Sequence, residues 1–298
     1  MKSISIQKKF ATAAIAATSV FLLTACVSVN TTSGRNKTTN NNAQTETRTT
    51  AADIHPWKNK KVAYFGDSVT DPNVLPDDTK YWGYLRDRLG ITPYVYGVNG
   101  MQWSDIPRQT DELIKQHGQD VDAIMIFIGT NDFNGGVPIG SFYTESKETV
   151  VAATGEPRSE KTRMHRTVVK DPSTLCGRIN IALEKIKAAY PTKQVILLTP
   201  IHRAYAEFGD NNVQPDENWQ NNIGEWFTTY VETIKQAGRV WSVPVIDTNA
   251  LCGLYPILDS NAPFFHDSKT DRLHPNAQGH KRIAKTLFYQ LLSLPCDF

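Results

Sequence analysis

Four cysteines in 298 residues are too few for a disulfide scaffold. No two of them have a metal-site spacing such as Cys-x-x-Cys. Cys176, Cys252 and Cys296 allow at most one bridge among themselves, and they read as thiols. An excess of either charge is also missing. Lys and Arg number 32 and Asp and Glu 30, a formal net charge of +2, so there is no electrostatic footprint for nucleic acid. Beyond the first residues no apolar run is long enough to span a bilayer. There is no internal repeat. With 40% hydrophobic and 21% charged residues, the composition is that of a globular chain with a sizeable core.

The first residues carry a different pattern. Lys2, Lys8 and Lys9 precede an apolar stretch from Phe10 to Leu23, too short to span a bilayer and suited to a signal-peptide core. It ends in Leu23-Thr24-Ala25-Cys26, which resembles a bacterial lipobox and implies cleavage before Cys26 and lipidation of its thiol. The alternative is an ordinary secretory signal with a chance cysteine. Residues 27–52 are rich in Thr, Asn and Ser and hold too little apolar surface to offset their ordering entropy. The expected organisation is a signal over 1–25, a lipidated cysteine and tether over 26–56, and one folded domain over 57–298. No acid follows Cys26 in Val27-Ser28-Val29-Asn30, which favours a membrane anchor facing the periplasm over one at the cell surface. Loss of three lysines and no acid would move the charge from +2 to −1.

Past Lys60, short apolar runs alternate with helical patterns. Strands are expected at Val62–Phe65, Thr92–Tyr96, Ala123–Ile128, Val195–Thr199 and Val243–Ile246. Continuous apolar runs of this length suit strands buried on both faces. Helices are expected at Tyr81–Leu89, Asp105–Gln116, Pro172–Ala189, Asn218–Gln236 and Ala277–Leu292. The alternation argues for a mostly parallel sheet with helices on both sides. One connection, residues 133–171, is about 40 residues long, and long loops of this kind are often functional. It carries Arg158, Lys161, Arg163, His165, Arg166 and Lys170. It is either a solvated excursion or a cap contacting a substrate.

Open parallel sheets bind ligands beyond the carboxyl ends of their strands. The expected strands are followed there by Gly66-Asp67-Ser68, by Gly97-Val98-Asn99-Gly100, by Gly129-Thr130-Asn131-Asp132 and by Pro200-Ile201-His202, and the last helix is preceded by Asp271-x-x-His274-Pro275. A serine hydroxyl needs a base to take its proton. His274 offers one, and Asp271, three residues earlier, can fold back to orient the imidazole. Pro275 suits the first turn of the last helix. The Asn131 amide and the backbone N–H groups of Gly100 and Ser68 could form a three-donor oxyanion hole. Asp67, Asp132 and His202 are possible substrate contacts, though the two aspartates also suit turn bracing. Asp247 is a rival orienting acid and His266 a rival base.

Gly66-Asp67-Ser68, Gly100, Gly129-Thr130-Asn131-Asp132 and Asp271-x-x-His274 match, in order, the four sequence blocks of the SGNH (GDSL-type) hydrolases, which the chain resembles from about Lys60 to its end. The resemblance implies an α/β fold, a three-layer α/β/α sandwich with a flavodoxin-like, five-stranded parallel sheet. It implies Ser68 as nucleophile, His274 as base, Asp271 as its partner, and Gly100 and Asn131 in the oxyanion hole. It implies hydrolysis of esters or thioesters and no metal or organic cofactor. The second block departs from the usual pattern at Met101, Gln102 and Trp103, expected to form a specificity wall. The expected substrate is a small-molecule or glycan ester, with short acyl groups on carbohydrate preferred over the long chains of a lipase, lysophospholipase or thioesterase. An acyltransferase, a non-catalytic glycan-binding lipoprotein and a two-metal phosphoesterase are the remaining readings.

Overall fold

The strands form where apolar residues run unbroken. In the computed structural model, which describes residues 54–296, the elements are β1 (Lys61–Gly66), α1 (Tyr81–Leu89), β2 (Thr92–Val95), α2 (Ile106–His117), β3 (Ala123–Phe127), α3 (Thr130–Asn134), β4 (Tyr143–Ala152), β5 (Ser159–Val168), α4 (Leu175–Ala189), β6 (Gln194–Leu198), β7 (Ala206–Glu207), β8 (Val213–Gln214), α5 (Phe227–Trp241), β9 (Val245–Ile246), α6 (Thr248–Leu251), β10 (Phe265–Asp267), β11 (Asp271–Pro275) and α7 (Ala277–Gln290). The main sheet has the order β2-β1-β3-β6-β9, with every neighbouring pair parallel. Every residue of β3 and β6 is buried.

The period of two along these strands divides the core. Ala63, Phe65, Ile124, Ile126, Val195 and Leu197 face one cluster with residues of α2, α4 and α5, such as Leu113, Ile179 and Ile234. Val62, Tyr64, Met125, Phe127, Ile196 and Leu198 face the other, with Leu85 of α1 and Leu287 of α7. That is a three-layer α/β/α sandwich, as expected. Truncating a fully buried side chain such as Ile124 to alanine would cost about 2–5 kcal/mol.

At α5 and at the entry to α7 the chain differs from expectation for local reasons. α5 begins at Phe227 rather than Asn218. The Asp216 carboxylate accepts from Asn218 N–H (2.9 Å), and the Asn221 amide oxygen from the N–H groups of Ile223 and Glu225 (3.2 and 2.9 Å). These side chains compete with the helix for its own donors. α5 then runs through Gly238 to Trp241, because a Cβ on Gly238 would lie 2.7 Å from Val243 O, so the helix needs glycine to close on β9. At α7, Pro275 ends β11 instead of opening the helix. Asn276 caps it, accepting from Gln278 and Gly279 N–H (3.0 and 3.2 Å).

The long connection is not a simple loop. β4 and β5 pair antiparallel over ten register positions, from Tyr143↔Val168 to Ala152↔Ser159, and are largely exposed. A second, antiparallel sheet of order β10-β11-β7-β8 lies at the end of the chain's β-structure and carries the Asp271-x-x-His274 segment. Cys176 and Cys252 are buried and free, and Cys296 is buried with its thiol donating to Pro56 O (3.2 Å). Burial pushes the Cys176 thiol up to about 11 and the Cys252 thiol to about 12. No helix among the described residues is long and apolar enough to cross a membrane. The signal, Cys26 and the tether to residue 53 lie outside the described residues.

Candidate active site

β1 delivers Ser68 through a turn of unusual tightness. A Cβ on Gly66 would lie 2.7 Å from Phe127 O of the adjacent strand, so only glycine allows this approach. Gln109 on α2 clamps the same residue, accepting from Gly66 N–H (2.9 Å) and donating to its carbonyl (2.8 Å). Past Gly66 the chain turns sharply, with the N–H groups of Thr70 and Asp71 donating to Asp67 O (3.0 and 2.9 Å). The Asp67 carboxylate accepts from Val69 N–H (3.0 Å). Asp71 reaches across to accept from Asn99 N–H (2.8 Å), which ties the loop carrying Gly100 to the serine turn.

β11 brings the histidine to the serine. His274 Nε2 lies 3.0 Å from Ser68 Oγ, and His274 Nδ1 lies 2.9 Å from Asp271 Oδ2. The second Asp271 oxygen accepts from the N–H groups of Leu273 (3.1 Å) and His274 (3.0 Å), which fixes the carboxylate against the ring. All three side chains belong to buried residues. Burial alone would raise the Asp271 pKa. The His274 ring hydrogen bond, the histidine charge and the two N–H donors outweigh it and hold the carboxyl below its usual range. The rivals lie elsewhere. Asp247 is held by Thr199, Ala250 N–H and Lys235, and His266 is exposed on β10.

Opposite the histidine are the donors expected of an oxyanion hole. Gly100 has φ +79°, a left-handed conformation with open space around it, and neither its N–H nor that of Ser68 has an acceptor among the described residues. Asn131 opens α3 after Gly129. Its Nδ2 donates to Met101 O (3.0 Å), which leaves its second N–H available.

A chain of bonds holds Asn131 in place. Gln102 Nε2 donates to Asn131 O (2.7 Å), and Arg178 Nη1 donates to both Gln102 Oε1 (2.9 Å) and Asp132 Oδ1 (3.0 Å). The other Asp132 oxygen accepts from Trp103 N–H (3.0 Å). Burial pushes the Asp132 carboxyl up to about 6, against the pull of Trp103 N–H and Arg178. Met101 and Gln102 therefore hold Asn131, Trp103 braces Asp132, and none of the three lines the pocket over Ser68, where a specificity wall was expected. Trp103 is buried in the core.

A pocket of about 210 Å³ opens over the serine, lined by Ser68, Asn99, Gly100, Asn131, Leu273 and His274, together with Phe208, Asn212 and Gln214. The last three come from the β7–β8 hairpin, where the Phe208 ring sits 5.3 Å from that of His274. Three expected substrate contacts do not line this pocket. Asp67 and Asp132 are buried behind the turns that they brace. Burial pushes Asp67 up to about 7, opposed by Val69 N–H and aided by the Asp132 charge. His202 is bonded to Glu217, which also accepts from Arg203 N–H (3.0 Å). Nor does any residue of the basic β4–β5 hairpin line it, so the cap over the serine is β7–β8 instead. Sequence reading missed Phe208, Asn212, Gln214, Asp71, Gln109 and Arg178. Among the described residues, no three His, Cys, Asp or Glu side chains gather to hold a metal ion.

A parallel three-layer sheet with a Ser–His–Asp chain at its carboxyl edge defines a class, the α/β serine hydrolases. The family model of the GDSL-like lipases and acylhydrolases matches residues 64–282, and the chain belongs to that family, as a hydrolase of carboxylic esters. Solved structures resemble it in fold. One from Lactobacillus plantarum has 22% identity, covers 79% of this chain and 97% of its own, and gives a TM-score of 0.60. A possible lipase from Chitinophaga pinensis has 20% identity, covers 79% and 98%, and gives 0.58. An acetylxylan esterase mutant from Geobacillus stearothermophilus, with 18% identity over 78% and 94%, superposes more loosely at 0.46. No curated protein matches the chain.

Proposed function

We propose that the protein removes short acyl groups, acetyl above all, from carbohydrate, through an acyl-enzyme on Ser68. Ser68 Oγ attacks the ester carbonyl while His274 Nε2 takes its proton, and Asp271 holds the ring and offsets its positive charge. The carbonyl oxygen becomes an oxyanion facing the N–H groups of Ser68 and Gly100 and the Asn131 amide. A single such donor is worth about 3–4 kcal/mol in the transition state. The C–O bond breaks, and His274 returns its proton to the leaving sugar oxygen. Water then attacks the acyl-enzyme, giving its proton to His274, and the carboxylic acid departs as Ser68 is reprotonated.

The observation that carries the substrate reading is the pocket lining. Four amide side chains, Asn99, Asn131, Asn212 and Gln214, surround the serine, with only Phe208 and Leu273 as large apolar groups. A long acyl chain would leave the Asn99 amide and the Asn212 NH₂, which no protein group among the described residues engages, against hydrocarbon at about 1–3 kcal/mol each. Sugar hydroxyls would satisfy them. The test is acetate release from acetylated glycans, set beside hydrolysis of nitrophenyl esters from C2 to C12. Preference for C2 is expected. A preference for long chains overturns the reading in favour of a lipase.

The same proposal places the enzyme in the cell envelope, facing the periplasm, on a lipid at Cys26. The support is the Leu23-Thr24-Ala25-Cys26 motif after an apolar stretch. Cys26→Ala should abolish labelling by a radioactive fatty acid; unchanged labelling would overturn it.

A further inference from the structure

Behind the β7–β8 wall lies a second pocket, of about 360 Å³, which shares Asn212 and Gln214 with the pocket over Ser68. It is within the size range of ligand sites, about 300–1,000 Å³. Trp219 stands on its rim with 65% of its surface exposed. Val213, also half exposed, lines the same pocket, so Trp219 is part of an open apolar face. Around it are amides, among them Asn211, Gln220 and Asn222. Asp216 is the only ionisable lining residue, and its carboxylate is already engaged by Asn218 N–H.

The amides on the shared wall are ordered from below. Arg203 is 1% exposed, and its guanidinium donates to Asn134 Oδ1 and to Gln214 Oε1 (3.0 Å). Asn134 donates to the same Gln214 oxygen, and Gln214 Nε2 donates to Asn212 Oδ1 (2.8 Å). The chain of bonds ends at the Asn212 NH₂, which has no acceptor among the described residues. The side chains of Asn211 and Asn222 also bond to no protein group there.

Resting on the reading of the substrate as an acylated carbohydrate, we propose that this pocket is a glycan subsite that holds sugar units beyond the acylated one. An amide offers both donors and an acceptor, the mixture that a sugar hydroxyl presents in return. The Trp219 face supplies the apolar platform for the C–H face of a pyranose ring. The one ionisable lining residue is an acid, Asp216, with no cationic group beside it in the lining, which turns away an anionic chain and leaves a neutral one. Because Asn212 and Gln214 front both pockets, a chain seated on Trp219 would pass the wall and present its acyl group to Ser68. The wall is ordered before the ligand arrives, so little is lost in fixing it.

The experiment uses the full chain and O-acetylated β-1,4-linked oligosaccharides of one to six sugars, with nitrophenyl acetate as the normalising substrate. The wild-type kcat/KM should rise about tenfold with chain length, the effect of roughly one aromatic platform with its hydrogen bonds. Trp219→Ala should erase that rise, and Trp219→Phe should keep most of it. A rise of equal size in Trp219→Ala, or none in the wild type, overturns the subsite. If nitrophenyl acetate is cleaved but no acetylated sugar is, the proposed substrate fails instead. The subsite is then decided by calorimetric titration of the wild type with the unacetylated six-sugar chain: binding that Trp219→Ala loses upholds it, and absence of binding overturns it.

Discussion

Replacing Asp67 by asparagine should change the pH dependence of stability in a way that can be worked out in advance. Asp67 is buried next to the serine, and its carboxyl is pushed from the ordinary 3.8 up to about 7, chiefly by burial. Between those values the folded chain holds a proton that the unfolded chain has lost. The stability of the protonated form is therefore complete below pH 3.8 and is lost as pH rises through 7. The ionisation gap costs the wild type about 2 kcal/mol at pH 5 and about 4 kcal/mol at pH 8. Asparagine keeps the oxygen that accepts from Val69 N–H and carries no charge at either pH. Any fixed cost of the amide enters equally at both values and cancels. The stability of Asp67→Asn relative to wild type should thus improve by about 2 kcal/mol between pH 5 and pH 8. The neighbouring Asp132 charge is one cause of the Asp67 shift, and its share is contained in these figures. Urea unfolding of both chains at the two pH values reads this directly. A difference that stays flat, or that falls as pH rises, would refute the assignment of a buried, proton-holding carboxyl.

Other outcomes follow from the same geometry. Asn131→Ala should lower kcat on nitrophenyl acetate by about 10²–10³ with little change in KM, as loss of one oxyanion donor does; an equal loss confined to KM would count against that role. Arg178→Met should destabilise the fold by about 3 kcal/mol at pH 8, because Asp132 loses its ion pair while fully buried. The loss should be smaller at pH 5, where Asp132, raised to about 6, takes a proton; a loss independent of pH would contradict this. Gly66→Ala should cost about 1–3 kcal/mol in thermal or urea unfolding, since its Cβ would press on Phe127 O at 2.7 Å. It should also lower kcat through displacement of Ser68, and full activity would show that the turn has slack.

Sheet and triad were legible because each rests on a local signal. The apolar runs Val62–Phe65 and Ala123–Ile128 lie in a sheet buried on both faces, where nearly every position must be apolar. Ser68 and Asn131 stand at turns two residues after a glycine, and His274 precedes Pro275 at the end of β11. The β4–β5 hairpin was hidden because both of its faces are polar and exposed, so no period-two pattern of apolar residues marks it. β7 and β8, two residues each, are too short for any pattern. Gln109, Asp71 and Arg178 act through bonds spanning 43, 28 and 46 residues, and such pairings leave no trace in spacing.

That difference in legibility corresponds to a division of labour. The groups that would make and break bonds sit where main-sheet strands β1 and β3 end and on β11, and their positions are fixed by hydrogen bonds among themselves and to buried neighbours. The pocket wall comes instead from the segment between β6 and α5, built of Asx turns and two short strands. It is tied to the core by the pairing of β7 with β11 (Ala206↔Asp271), by Asn221, whose Nδ2 donates to Phe133 O (3.0 Å), and by Arg203, whose guanidinium joins Asn134 of α3 to Gln214 of β8. Asn131 lies on α3 as well, but it is held by Met101, Gln102 and, through Gln102, Arg178, a separate set of partners. A substitution at Asn212 or Trp219 therefore changes what reaches the serine without touching a bond of the triad or of the oxyanion donors. The choice of substrate can vary at those positions without disturbing the groups around Ser68, provided that the β7–β11 pairing and the buried Arg203 hold the segment in place.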